Sequence, residues 1–451
     1  METIRHALEV FFSFKAYVML PFIMLALGLV VGMRVKDALL SALRMGVGFA
    51  SIFVVFSFFV DNIRPAVEAI VSVRGLEYTV LDVGWPPLAA ITWASMIAPL
   101  SILLVLGLNV LMIALNLTRT VYLDIWNYWH FALLGALVQA VTGNVWLALL
   151  ATLLIAFLTI KLADWAAVYV ERETALEGVT ISPVSVVGLL PFTAAMDFLF
   201  ERIPGFRRWN VNPQDRKDES KPRSLLSEPM VIGLLLGVVL GVLAAYSVKQ
   251  VLELSIHLAA VMFLLPLAGE LIGKGISPIS STLKEKIQRR FPSKQGLYVA
   301  VDTGVLMQHR SVIVTGLLLM PISLLLAFFI PGNRVLPLGD LPNLISVMSV
   351  SVLLYRGNVV RSVLAGIPVV ITYLLIATKL APLYTSLAAG VGVEVPEGQF
   401  ITAFTDGGHH LRFYLLGLFS GEGWAFWLLP GVVLLFVAAF AHARRRARER
   451  V

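Results

Sequence analysis

Apolar residues run along this chain in long, unalternating blocks, near 17–33, 45–60, 96–117, 145–160, 231–246, 258–272, 312–330, 362–376 and 424–441. Blocks of this length predict membrane-spanning helices, whereas an outer-membrane barrel would alternate apolar and polar positions. At about 20 residues per span, and with shorter polar-interrupted runs filling the gaps, the pattern predicts about ten or eleven transmembrane helices plus re-entrant hairpins in an all-α polytopic membrane protein. Ile4, Ala7, Leu8, Phe11 and Phe12 have helical spacing and predict an N-terminal helix lying in the interface. Lys15 at the start of the first apolar block, with no small-residue cleavage site after it, argues against a cleaved signal peptide.

The polar interruptions occur in matching pairs. Asp82-Val83-Gly84 followed by Pro99-Leu100-Ser101 is echoed by Asp302-Thr303-Gly304 followed by Pro321-Ile322-Ser323. In the same order, Asp124-Ile125-Trp126-Asn127 answers to Asp340-Leu341-Pro342-Asn343, Thr142-Gly143-Asn144 to Arg356-Gly357-Asn358, and Lys161-Leu162-Ala163 to Lys379-Leu380-Ala381. Thr174 to Gly178 pairs more loosely with Thr402 to Gly407, which sets Glu177 against Asp406. Duplicated membrane halves with interrupted polar hairpins are the build of a transporter.

Charge fixes the boundaries. Only 14% of residues are charged and 58% are hydrophobic, against about 25% charged in a soluble domain. The net charge of +7 comes from basic residues concentrated in loops, which the positive-inside rule explains without nucleic acid. Residues 1–200 form a first repeat with the interfacial helix, 201–228 a basic cytoplasmic linker, 229–443 a second repeat and 444–451 a basic cytoplasmic tail. The loop holding Lys274, Lys284, Lys286, Arg289, Arg290 and Lys294 is basic, while its counterpart at 61–81 carries only Arg64 and Arg74 against three acids. Opposite basic content predicts opposite sides of the membrane, and so inverted repeats. The expected location is the inner (plasma) membrane, in contact with lipid, with the C-terminus cytoplasmic.

An ionisable residue at mid-helix costs roughly 2.5–3.5 kcal/mol by insertion scales and therefore needs a partner or a wet cavity. Asp82-Val83-Gly84-Trp85-Pro86-Pro87 is either the tip of a re-entrant hairpin facing a cavity or a short turn with interfacial tryptophans. His309, near Asp302, is either a ligand or a structural hydrogen-bonder. His130 shares a helix face with Asn127, and Gln139 lies on nearly the same side. Rings beside amides and imidazole suit a polyol, stacking on its C–H face and bonding its hydroxyls; an aromatic belt accounts for Tyr122 and Trp126. Two prolines and two glycines between Pro331 and Asp340 break the second copy, leaving Asp340 among free amides. Glu177 is either interfacial or a site acid, the second favoured because Asp406 repeats it. No metalloprotease, phosphate-loop or dinucleotide motif is present, and zero cysteines exclude thiolate sites. Neither a metal nor a cofactor is expected.

These motifs resemble those of a known family, the membrane subunit (EIIC) of the galactitol-type sugar phosphotransferase system, in one superfamily with the ascorbate-type subunits. The matching segments are Val80 to Pro86, Thr92 to Ser95, Asp124 to His130, Leu176-Glu177-Gly178, Pro331 to Pro337 with Gly339-Asp340, and Arg356-Gly357-Asn358. The resemblance implies a homodimer with core and dimerisation domains, and elevator-type movement of a sugar alcohol. It also implies phosphorylation from a cysteine of a separate EIIB subunit, itself charged by an EIIA histidine. One segment departs: Ile181 is followed by Ser182-Pro183-Val184 where the family has Pro-His-Gly, so a family histidine is missing.

The expected function is a phosphotransferase-type permease for galactitol or a related polyol, carrying no phosphorylated residue of its own. The expected substrate-binding residues are Trp85, His130, Gln139, Asn144, Glu177, His309, Asp340, Asn343 and Asp406. Asp340 and Glu177 would accept hydroxyl hydrogens, His130 and Gln139 would orient the substrate, and Trp85 would stack. The alternative is a proton- or sodium-coupled secondary transporter using Asp340, Glu177 or Asp406; a third reading is a membrane sensor or scaffold without flux.

Overall fold

The computed structural model describes residues 16–448 except 31, 75–77, 86–87, 90–91, 93–94, 123, 175, 214–228, 291–295, 391–394 and 396–397. The expected interfacial helix, Pro86-Pro87 and most of the basic linker lie outside the described residues.

Helices dominate. In chain order they are α1 (Ala16–Val30), α2 (Val35–Arg74), α3 (Ile97–Ala114), α4 (Trp129–Thr142), α5 (Val145–Glu173), the single turn α6 (Val184–Val187), α7 (Leu190–Arg202) and α8 (Pro204–Arg208). There follow α9 (Pro229–Leu243), α10 (Val248–Arg290), α11 (Arg310–Phe329), α12 (Asn343–Leu354), α13 (Val359–Gly390), the turn α14 (Phe404–Gly407), α15 (His410–Phe419) and α16 (Gly423–Arg448). Six helices among the described residues are long and apolar enough to cross a membrane: Ile97–Ala114, Val145–Glu173, Val184–Arg202, Arg310–Phe329, Val359–Ala389 and Gly423–Arg448. Other apolar runs, such as Trp129–Thr142 and Asn343–Leu354, form shorter helices.

The all-helical expectation also missed six short strands, arranged as two open three-stranded parallel sheets. In the first, β1 (Val80–Asp82) lies between β5 (Val335–Leu336) and β6 (Phe400–Thr402), with Val80 opposite Val335 and Phe400. In the second, β4 (Tyr298–Val301) lies between β2 (Thr120–Val121) and β3 (Val179–Ile181), with Val299 opposite Val121 and Val179. Each central strand therefore comes from one half of the chain and both its neighbours from the other. Extended backbone within an apolar protein must find internal hydrogen-bond partners, and these ladders supply them.

Two helix pairs show why the chain packs as it does. In α9, Gly233, Gly237 and Gly241 face α10, and a Cβ on Gly237 would sit 2.3 Å from the Ser255 Cα. Small residues one turn apart let two backbones approach closely without a hydrophobic driving force. Between α4 and α5, Gly143 turns the chain at φ 68° and Asn144 accepts from the Trp146 and Leu147 amides. The echoing segment does the same: Gly357 turns at φ 72° and Asn358 accepts from the Arg361 amide.

Candidate substrate site

The loops leaving the carboxyl ends of the first sheet build a buried polar cluster. Asp82 ends β1, and its Oδ1 accepts from the Gly84 amide at 3.1 Å and the Phe404 amide at 3.0 Å, while Oδ2 accepts from the Asp340 amide at 3.0 Å. Gly339 makes this approach possible, since a Cβ there would stand 2.5 Å from the Asp82 carbonyl oxygen. Asp340 in turn accepts from the Trp85 amide at 3.3 Å, the Thr405 amide at 3.0 Å and the Thr405 hydroxyl. Asn343, one turn along from Asp340, donates to the Thr405 hydroxyl at 2.8 Å and to Asp406 Oδ2 at 3.0 Å. Asp82, Asp340 and Asp406 thus meet although they are far apart in sequence.

A basic and aromatic wall closes this cluster. Arg412 from α15 is 1% exposed, donates to the Asp406 carbonyl, and donates through Nη2 to His130 Nδ1 at 3.2 Å. His130 Nδ1 also lies 3.5 Å from Asp406 Oδ1. An imidazole that accepts at Nδ1 carries its proton on Nε2, which leaves Nε2–H to donate elsewhere. The Trp129 ring stacks on His130 at 3.9 Å and on Trp85 at 6.2 Å. Arg412 Nε, Tyr373 Oη and Thr402 Oγ1 are buried without hydrogen-bond partners. A buried polar atom left unpaired costs roughly 1–3 kcal/mol, so these groups are held at a cost to stability.

The second sheet repeats part of this chemistry. Asp302 follows β4 and accepts from the Gly304 amide at 3.1 Å, the same turn that Asp82 makes with Gly84. Asn127 donates one amide nitrogen to Asp124 at 2.7 Å and Asp302 at 3.1 Å, and Ser182 donates to Asp124 at 2.6 Å. Ser182 follows β3, and its hydroxyl thereby ties that loop to the carboxylate of the neighbouring one.

The structure brings together Trp85, His130, Asp340, Asn343 and Asp406. The other expected residues lie apart from them. Gln139 reaches the Met96 sulfur, Asn144 is an exposed helix cap, and Glu177 is exposed beside β3. His309 is buried with both ring nitrogens unpartnered, at the end of the short turn that starts at Asp302. Arg412, Asp82 and Thr405 were missing from the expected site. Arg412 was detectable as the one ionisable residue after His410 in the apolar helix His410–Phe419.

Comparison with known proteins decides the family. The model of the sugar-specific permease component of the PTS (phosphotransferase) system matches residues 10–398. The chain belongs to that family. This PTS permease is 32% identical over 434 residues to the galactitol-specific EIIC component of Escherichia coli (strain K12), covering 96% of this chain and 94% of the relative. It is also 34% identical over 376 residues to a putative permease IIC component of the same organism, covering 83% and 85%. The resemblance in the polar motifs therefore extends along the chain, and the apolar helices of this PTS permease are those of a multi-pass membrane protein.

Proposed function

We propose that this permease binds a sugar alcohol, galactitol or a close relative, in the cluster formed by Asp340, Asn343, Asp406, His130 and Arg412, with Trp85 and Trp129 as the stacking face. The observation that carries this reading is the set of buried, unpartnered donors and acceptors around Asp406 and Arg412. A polyol offers a hydroxyl, both donor and acceptor, on successive carbons; Asp406 Oδ1 takes a hydroxyl hydrogen while Arg412 Nε–H and His130 Nε2–H donate to hydroxyl oxygens. Asp340 is held by the amides of Trp85 and Thr405, which fixes its geometry before substrate arrives.

The pairing of the two sheets supports two inverted repeats around a shared site, with Asp82 equivalent to Asp302 and Asp340 to Asp124. Two long helices, α2 and α10, pack against each other and extend about 60 Å at 1.5 Å per residue, twice the hydrocarbon thickness. They suit a fixed dimerisation scaffold, and the sheet-bearing body suits the core that moves past it in an elevator cycle. Coupling runs through the cysteine of a separate EIIB subunit, which phosphorylates the substrate as it is released.

The test is equilibrium binding of radiolabelled galactitol to the purified permease, followed by uptake into vesicles with and without EIIA and EIIB. Saturable binding that is lost in Asp406→Asn, with product appearing inside as a phosphate ester only when both partners are present, is the expected result. Accumulation of unmodified polyol against its gradient in vesicles lacking both partners would instead establish ion-coupled transport.

A further inference from the structure

Residues of α7, α13, α15 and α16 and the turn before α7 line a half-open apolar cavity of about 270 Å³. Phe192, Val369, Leu411, Val432, Leu435 and Phe436 supply its larger apolar side chains. Its polar edge is small: Thr372 bonds the His410 ring, and the buried Tyr414 hydroxyl has no partner. Apolar cavities of about 150 Å³ stay dry and take up hydrocarbon such as benzene, so this larger one suits an apolar occupant and repels a sugar.

The helix on its outer side indicates what that occupant is. α16 is the least buried of the six membrane-length helices. Val432, Phe436, Phe440 and Arg444 recur every fourth residue on it and form one ridge. The first two line the cavity, Phe440 is 47% exposed, and Arg444 is exposed at the end of the helix beside Arg445 and Arg448. Twelve residues at 1.5 Å each place Arg444 about 18 Å from Val432, comparable with the length of a phospholipid acyl chain and half the bilayer. Trp165 of α5 packs on Phe436 and Phe440, giving the ridge a second wall.

We infer that the cavity receives one acyl chain of an anionic phospholipid whose phosphate is held by the arginines ending α16. The inner wall explains why this matters to the permease. Gly188 lines the cavity, and a Cβ on it would lie 2.8 Å from His409 Nε2. His410, also lining the cavity, is the first residue of α15, the helix that carries Arg412. A chain in the cavity therefore braces the helix that supplies the buried guanidinium.

Photolabelling tests this in bilayers. The permease is reconstituted with phosphatidylglycerol carrying a diazirine within one acyl chain, or with the matching phosphatidylcholine, and adducts are mapped by peptide mass spectrometry. Adducts on residues 368–372 and 410–414 are expected, about fivefold more abundant with the anionic lipid, as one or two surface arginines provide. Arg444→Gln should bring the two lipids closer to equal labelling. Leu435→Trp should remove inner-wall adducts while those on the outward Leu434 persist, which also verifies that the variant is folded and inserted. Equal inner-wall labelling by both lipids in the wild-type protein, or labelling confined to the outward face of α16, would overturn the proposal.

Discussion

At the residue scale, the site depends on carboxylates whose shape is fixed by backbone amides. Asp340→Asn turns one of the two acceptor oxygens into a donor, which then faces either the Thr405 or the Trp85 amide. Hydrogen bonds to charged groups are worth about 1.5–3 kcal/mol, so affinity for the proposed sugar alcohol should fall roughly ten- to a hundredfold in isothermal titration. Gly339→Ala is expected to abolish binding for a steric reason, since its Cβ would collide with the Asp82 carbonyl 2.5 Å away. Asn144→Ala should behave differently. Its side chain caps α5, so thermal unfolding should report a loss of about 1 kcal/mol while binding is unchanged. The Thr142-Gly143-Asn144 echo was plain in the sequence, but its purpose was a helix turn; only the capping geometry separates that from a ligand contact.

At the element scale, the sequence revealed the breaks between helices more clearly than what fills them. Asp82 ends a short strand and Asp302, Asp124 and Asp340 stand just past theirs, all at the breaks that the repeated polar segments marked. The strands themselves are two to four residues long and flanked by apolar helices, too short for an alternating pattern to emerge. Their partners are distant in the chain, so nothing local encodes the pairing. The α9–α10 contact, by contrast, has a local signal that the polar motifs did not include, the four-residue spacing of Gly233, Gly237 and Gly241. Gly237→Val should force these helices apart, detectable as faster proteolysis between 244 and 247 and a lower melting temperature, whereas Gly107→Ala, which meets nothing within 4 Å, should be neutral.

At the scale of the whole molecule, ion pairs fasten the last helix to the body. Asp197 of α7 accepts from Arg361 at 3.1 Å, His442 at 2.9 Å and Arg446 at 3.4 Å, and Tyr169 bonds the far nitrogen of His442 at 2.7 Å. Asp197→Ala removes the carboxylate that Arg446, His442 and Arg361 share, leaving Arg361 with Glu201 alone. A destabilisation of about 3–5 kcal/mol is expected, read as loss of folded protein on size-exclusion after mild heating. A local reading of the sequence had no means of finding this cluster, because its members come from α5, α7, α13 and α16.

The crossed ownership of the sheets has a consequence for how the protein is made. β1 is synthesised early, yet its hydrogen-bonding neighbours are residues 335–336 and 400–402. Until those emerge, the amides of Val80 to Asp82 have no ladder to join, and the same holds for residues 120–121 before β4. Neither half can finish alone; each carries the template on which the other completes itself. Expressed as separate polypeptides split within 214–228, the halves should each be degraded, and should accumulate only when produced together in one cell.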